Sequence, residues 1–285
     1  MIKTEHLNYI YQPGMPYEHK ALNDVCIEIP DGDFTAIIGH TGSGKSTLIQ
    51  HLNGLIKPTS GKIFIDGLDI TQPKLDLRDV RRRVGLVFQY PENQLFEETV
   101  YKDIAFGPKN LGLSEEEIKN RVIEAAHLAG IDDELLDKSP FDLSGGQKRR
   151  AAIAGVLSMH PKILILDEPT AGLDPKGRDS LLAVLTELHK KLSMTVILVS
   201  HSMEDVARVA KHVIVMNDGA VYMNGTVSEV FKRGDDLVNI GLNVPEITRL
   251  IARLNEMGAS LPKDIYTVKY AAQLLGGAMK GKSNA

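Results

Sequence analysis

The sequence predicts an α/β protein, a parallel sheet sandwiched by helices. Three features carry that expectation: short apolar runs bounded by turn or polar residues, longer segments of helical spacing between them, and one glycine-rich strand-to-helix junction. In order, Phe34 to Ile38 reads as a buried strand, Lys45 to Leu55 as a helix and Val84 to Phe88 as another strand. Ser114 with Glu117 forms a capping box that opens a helix through Ala129, with Gly130 at its C-terminal cap. No strand candidate occurs from Ala105 to Asp142, so this stretch reads as a helical insertion in the core. Gly145 to Ser158 and Pro175 to Leu192 read as helices, Ile163 to Leu166 and Val196 to Val199 as strands. A hairpin from Val213 to Tyr222 turns at Asn217-Asp218-Gly219. The chain changes character near Gly234-Asp235-Asp236, which divides a main domain at 1–234 from a helical appendage at 235–285. In that appendage Ile247, Leu250, Ile251 and Leu254, then Val268, Ala271, Ala272 and Leu275, form two amphipathic stripes that pack on the core or on a partner. Lys280 to Ala285 reads as a frayed tail.

At about 150 residues per domain, a chain of 285 residues holds one full core and a sizeable addition. Its 33 basic and 37 acidic side chains are interspersed and give a net charge of -4, which offers no bulk attraction for nucleic acid or anionic lipid. The one cysteine, Cys26, has no intrachain partner and fits a reducing compartment; it reads as a strand residue burying a small side chain. The N-terminus lacks the apolar region of a signal peptide, and no window reaches the ~20 apolar residues that span a bilayer. Any membrane attachment is therefore expected to be peripheral.

Gly39-His40-Thr41-Gly42-Ser43-Gly44-Lys45-Ser46 matches the G-x-x-x-x-G-K-[ST] phosphate loop and lies between a strand and a helix. Its glycines let backbone N–H groups turn toward phosphates, the helix N-terminus adds partial positive charge, and Lys45 neutralises β/γ oxygens. Ser46 can give a hydroxyl ligand to Mg²⁺, and His40 contributes its backbone. The next residue, Thr47, completes the expected phosphate-binding set and stands where a dinucleotide loop wants glycine. Ile163-Leu164-Ile165-Leu166 ends in Asp167-Glu168. Asp167 would share the Mg²⁺ shell with Ser46, and Glu168 would activate the attacking water. Leu143-Ser144-Gly145-Gly146-Gln147 offers a second anion-binding helix start. One nucleotide has no use for two such ends, so this one is expected to meet the γ-phosphate of ATP on another subunit, which implies a dimer. Ser144 also suits an ordinary N-cap, although the Gly-Gly pair weakens a helix start.

In their order, the phosphate loop, Gln89, Leu143 to Gln147, Asp167-Glu168, Asp174 and His201 resemble ATP-binding cassette ATPases, over residues 1 to about 230. The resemblance implies a P-loop NTPase of the ABC type: a RecA-like core with an N-terminal antiparallel β portion, a helical subdomain around 105–142 and the small C-terminal appendage. It implies ATP and Mg²⁺ as ligands. It also implies that Gln89 reaches the metal and attacking water and couples the site to a membrane partner. Asp174 would signal between two sites, His201 would contact the γ-phosphate, and Tyr11, 34 residues before Lys45, would stack on adenine. Ala171-Gly172-Leu173-Asp174 departs from the family's Ser-Ala-Leu-Asp by lacking a hydroxyl.

A narrower resemblance rests on the run from Gln89 to Val100, on Phe106-Gly107-Pro108 and on Glu168 to Asp174. It is to the second ATPase type of energy-coupling factor transporters, bacterial importers of vitamins and metals. That implies pairing with a second, different cassette ATPase, docking on a transmembrane coupling subunit near Gln89 to Phe96, an indirect link to a substrate-binding membrane subunit, and residence on the cytoplasmic membrane face. Independently, Glu92, Glu97 and Glu98 beside Leu95 and Phe96 suit a partner helix bringing arginine into an apolar cleft, or else form a solvated acidic turn. A nucleic-acid maintenance ATPase would need a long coiled coil between Lys45 and Ser144, which are only 99 positions apart. Another ABC importer ATPase or a nucleotide-sensing module remains as the alternative.

Overall fold

A computed structural model describes residues 1–274. In chain order it has β1 (Ile2–Tyr11), β2 (His19–Ile29), β3 (Phe34–Ile38), α1 (Lys45–Leu52), β4 (Ser60–Ile65), β5 (Leu68–Asp69), α2 (Arg78–Arg83) and β6 (Val84–Val87). Helices α3 (Val100–Asn110), α4 (Glu115–Ala129) and α5 (Gly145–Leu157) follow. Then come β7 (Ile163–Asp167), α6 (Pro175–Leu192), β8 (Thr195–Val199), α7 (Met203–Val209), β9 (His212–Asn217), β10 (Ala220–Thr226), α8 (Val227–Lys232), α9 (Gly234–Asn239) and α10 (Glu246–Glu256).

The main sheet has the order β10-β9-β3-β8-β7-β6, parallel except for β10 against β9. Strands β3, β7 and β8 are buried on both faces, which is why they read as unbroken apolar runs. Alternation still assigns the faces. On β7, Leu164 and Leu166 pack with the helices α3 to α6, while Ile163 and Ile165 pack with α1 and a second, antiparallel sheet of order β2-β1-β4-β5. Because the five strands are parallel, Ile38, Val87, Asp167 and Val199 end on one edge of the sheet. Open α/β sheets gather their ligands at that edge.

The capping box of α4 is complete in both directions, and Gly130 closes that helix in the left-handed conformation at φ 71°. Helices α3, α4 and α5 enclose one apolar cluster through Ile104, Val122 and Ile153. The core continues past residue 234, since Leu237, Leu242 and Val244 pack with Val213 and Phe231. Farther on, Ile251, Ile265 and Ala271 make a separate small cluster.

Two sequence expectations need correction. Cys26 is exposed, because inward Val25 and Ile27 flank it on a strand whose other face meets solvent. Leu250 is half-exposed: on α10 the buried seam runs through Ile247, Ile251 and Leu254, one residue off. The second amphipathic stripe begins in helical residues 268–274, where Val268 faces solvent; Leu275 and the tail from Lys280 lie outside the described residues.

Candidate active site

The phosphate loop joins β3 to α1. Gly44 caps α1 at φ 97° with no side-chain bond, so the first N–H groups of the helix have no side-chain acceptor. A Cβ there would lie 2.5 Å from the Ala21 carbonyl of β2, so only glycine lets the loop approach that strand. Lys45 is buried, and its ammonium donates to the Gly39 and His40 carbonyls at 2.7 and 2.8 Å. Burial pushes its pKa down, and the nearby Glu168 and Asp167 charges counter part of that. The His40 ring turns outward to Asn217, 3.0 Å away. Ser43 is wholly buried, whereas Thr41, Gly42, Gly44, Ser46 and Thr47 line the cleft.

Three neighbouring strands deliver the rest. The Ser46 hydroxyl donates to Asp167 Oδ2 at 3.0 Å. Burial raises the Asp167 carboxyl, against the Ser46 bond and the Lys45 charge. Glu168, one step past β7, lies in the left-handed region at φ 49° while its N–H donates to the Val199 carbonyl at 2.9 Å. That conformation costs a non-glycine residue about 1 kcal/mol or more and is typical of functional sites. It swings the Glu168 carboxylate between the ends of β6 and β8, where Gln89 Nε2 donates to Oε2 at 3.2 Å and His201 Nε2 lies 2.6 Å from Oε1.

The resulting cleft of about 530 Å³ holds Lys45, Ser46, Gln89, Glu168, His201 and Tyr11. Tyr11 packs edge-on against Tyr9 and shares a 3.2 Å hydrogen bond with Thr47. His19, which sequence reasoning missed, also lines the cleft; it is the cross-strand partner of Tyr11, a relation only the β1–β2 register reveals. Mg²⁺ takes hard oxygen ligands and keeps several waters and phosphate oxygens. The adjoining Ser46 hydroxyl and Asp167 carboxylate fit such an ion.

Ser144, Gly145, Gly146, Gln147 and Asp174 are not in this cleft. Ser144 caps α5, accepting from the Gln147 N–H at 3.3 Å while Gln147 Oε1 accepts from the Ser144 N–H at 2.9 Å. Asp174 caps α6 by accepting from the Gly177 N–H at 2.9 Å. Among the described residues nothing lies within 4 Å of a Cβ built on Gly145 or Gly146, so packing against them does not demand glycine at either position.

A second cavity, about 450 Å³, is a groove floored by Ala151, Ala152 and Gly155 and flanked by Leu95, Phe96 and Phe106, with Arg78, Arg81 and Arg82 also lining it. The expectation that Glu92, Glu97 and Glu98 await an outside arginine is corrected for two of them. Glu92 accepts from Arg149 at 2.7 and 3.0 Å, and Glu98 pairs with Lys102 one helical turn on. The groove also contains Asp103, which is buried: its Oδ1 accepts from the Phe96 and Glu97 N–H groups at 3.1 and 3.3 Å, and its Oδ2 has no partner among the described residues. Burial pushes this carboxyl upward.

Residues 22–171 match the family described as ABC transporter. The energy-coupling factor transporter ATP-binding protein EcfA2 of Caldanaerobacter subterraneus subsp. tengcongensis is 58% identical over 283 residues, covering 99% of each chain. The protein of the same name from Clostridium perfringens is 59% identical over 275 residues, or 96% of each. Among solved structures, cbiO1 from Clostridium perfringens, part of the ABC transporter complex cbiONQ, superposes with TM-score 0.76 at 43% identity over 88% of this chain and 98% of its own. The cassette MJ0796, solved as a post-hydrolysis dimer with ADP and Pi, gives TM-score 0.71 at 32% identity over 80% of this chain and 99% of its own. With the phosphate loop, Asp167-Glu168 and His201 on one sheet edge, the chain belongs to the ABC transporter ATPases, within the energy-coupling factor EcfA2 group.

Proposed function

We propose that this chain binds ATP between its phosphate loop and the Ser144–Gln147 helix start of a second cassette, and that Glu168 is the general base. The carrying observation is the Glu168 carboxylate, bracketed by Gln89 and His201 beside the buried Lys45. The chain is an ATPase of an energy-coupling factor importer, in which hydrolysis drives transport. Lys45 and the N–H groups of α1 hold the phosphates, Tyr11 stacks on the base, and Ser46 with Asp167, joined by Gln89, would hold Mg²⁺, which screens phosphate charge. Glu168 takes the proton of the attacking water, Gln89 orients that water, and His201 contacts the γ-phosphate. Gly39 to Ser43 and Thr47 complete the phosphate-binding loop, and Asp174 faces the partner's site.

The open space over Gly145 and Gly146 supports approach by a partner's nucleotide. Gly145→Val should leave ATP affinity and the melting temperature of the isolated chain nearly unchanged. ATP-driven pairing should be abolished and hydrolysis cut by about a hundredfold, the scale of losing oriented donors to a transition state. Scattering and phosphate release check both; pairing that survives removes this end from the shared site.

We assign the groove around Asp103 to the transmembrane coupling subunit, as the seat of a helix that brings a cationic side chain to Asp103 Oδ2. The second cassette is a different ATPase, the substrate-binding membrane subunit is reached only through the coupling subunit, and the assembly works at the cytoplasmic face. The appendage proper begins past Val244, where the main core ends, and its exposed Leu250 and Met257 offer apolar surface to the partner cassette. Purification from native membranes should bring down a second cassette and integral membrane proteins, and Asp103→Asn should lower recovery of the membrane proteins at least tenfold. Undiminished recovery would remove Asp103 from docking, and recovery of this chain alone would defeat the transporter reading.

A further inference from the structure

We propose that Arg149 is a positioning residue that fixes Glu168 against Gln89 and ties both to the docking segment. Its side chain is 3% exposed, and its guanidinium makes four short contacts. Nε and one terminal nitrogen donate to the two carboxylate oxygens of Glu92 at 3.0 and 2.7 Å, while the other terminal nitrogen donates to the Pro169 and Ala171 carbonyls at 2.9 and 2.7 Å. Burial alone would raise the Glu92 carboxyl, yet the Arg149 bonds hold it below its ordinary value.

The connectivity gives these bonds their meaning. Glu92 lies three residues after Gln89, on the segment that runs into the groove. Pro169 follows Glu168 directly and Ala171 is three residues on, where its N–H closes that turn by donating to the Glu168 carbonyl at 3.1 Å. Arg149 therefore clasps two loops whose preceding residues, Gln89 and Glu168, meet at 3.2 Å. It holds the turn that keeps Glu168 in its left-handed conformation, and it does so from α5, the helix that starts at Ser144. Displacing the docking segment moves Glu92, and through the fork it moves the turn behind Glu168. A lysine keeps the charge but cannot fork across a carboxylate and two carbonyls at once.

The proposal rests on the ATPase reading above. It is tested in the assembled transporter with ATP, counting turnover per ATP-loaded molecule. Arg149→Lys should lower kcat about tenfold or more while KM for ATP stays within about twofold, since misplacing a catalytic group by about 1 Å costs up to a hundredfold. Glu92→Gln, which preserves side-chain shape, should move kcat in the same direction and supplies the measurement should the lysine variant not fold. In the double variant the loss should be no larger than the greater single loss, as for two ends of one strut. Independent, multiplying losses, or a kcat within about twofold of the native value in Glu92→Gln, overturn the proposal. Glu168→Gln in the same preparation keeps the two readings apart: if it turns over normally, the hydrolytic assignment fails, whatever Arg149 does.

Discussion

Replacing Glu168 by glutamine is expected to cut ATP hydrolysis by roughly a hundredfold or more while leaving ATP bound, because the carboxamide cannot take a proton from water. The geometry makes this a demanding test. Glutamine keeps the length and planarity of the side chain, so the left-handed backbone at φ 49° and the bond from the Glu168 N–H to Val199 should both persist. What changes is chemical: one acceptor becomes a donor and faces either Gln89 Nε2 or His201 Nε2. A variant that binds ATP, pairs with its partner cassette and does not release phosphate is the expected result, read by equilibrium binding and single-turnover phosphate assay. Retained turnover would remove Glu168 from the base role.

Lys45→Ala is expected to weaken ATP affinity by about a hundredfold, the equivalent of about 3 kcal/mol for charge-assisted bonds to phosphate oxygens. Two effects add. The ammonium no longer answers phosphate charge, and the Asp167 and Glu168 carboxylates near it are left uncompensated, so the cleft becomes more hostile to a polyanion. The Gly39 and His40 carbonyls also lose their donor, which loosens the loop. Calorimetric titration with ATP and ADP checks the prediction, and unchanged affinity would refute the phosphate-loop assignment.

The central strands were legible because parallel strands buried on both faces need apolar residues at every position, and β3, β7 and β8 have them. Local signals also carried far: Ser114 with Glu117, Gly130 and the glycine-rich junction each depend on a few adjacent residues. The antiparallel sheet was harder to see. Strand β1 pairs with β2 through three register shifts, which break the alternation a reader would count, and so His19 could not be paired with Tyr11. At the site, the three polar residues beyond β6, β7 and β8 could be named singly. That Gln89 and His201 converge on Glu168 depends on the strand order, which the sequence does not spell out. Glu92 was misread for a similar reason: its counter-ion, Arg149, is 57 positions away on another element, and only packing brings them together. Asp103 carries no local mark in the sequence, and only its burial in the groove isolates its second oxygen.

The outward-facing Cys26 has a practical use. With a single sulfhydryl in the whole polypeptide, a maleimide dye or nitroxide attaches at one known point on the outer sheet and needs no background mutagenesis. A label there, matched by one on the companion subunit, turns opening and closing of the pair into a spectroscopic ruler read in real time.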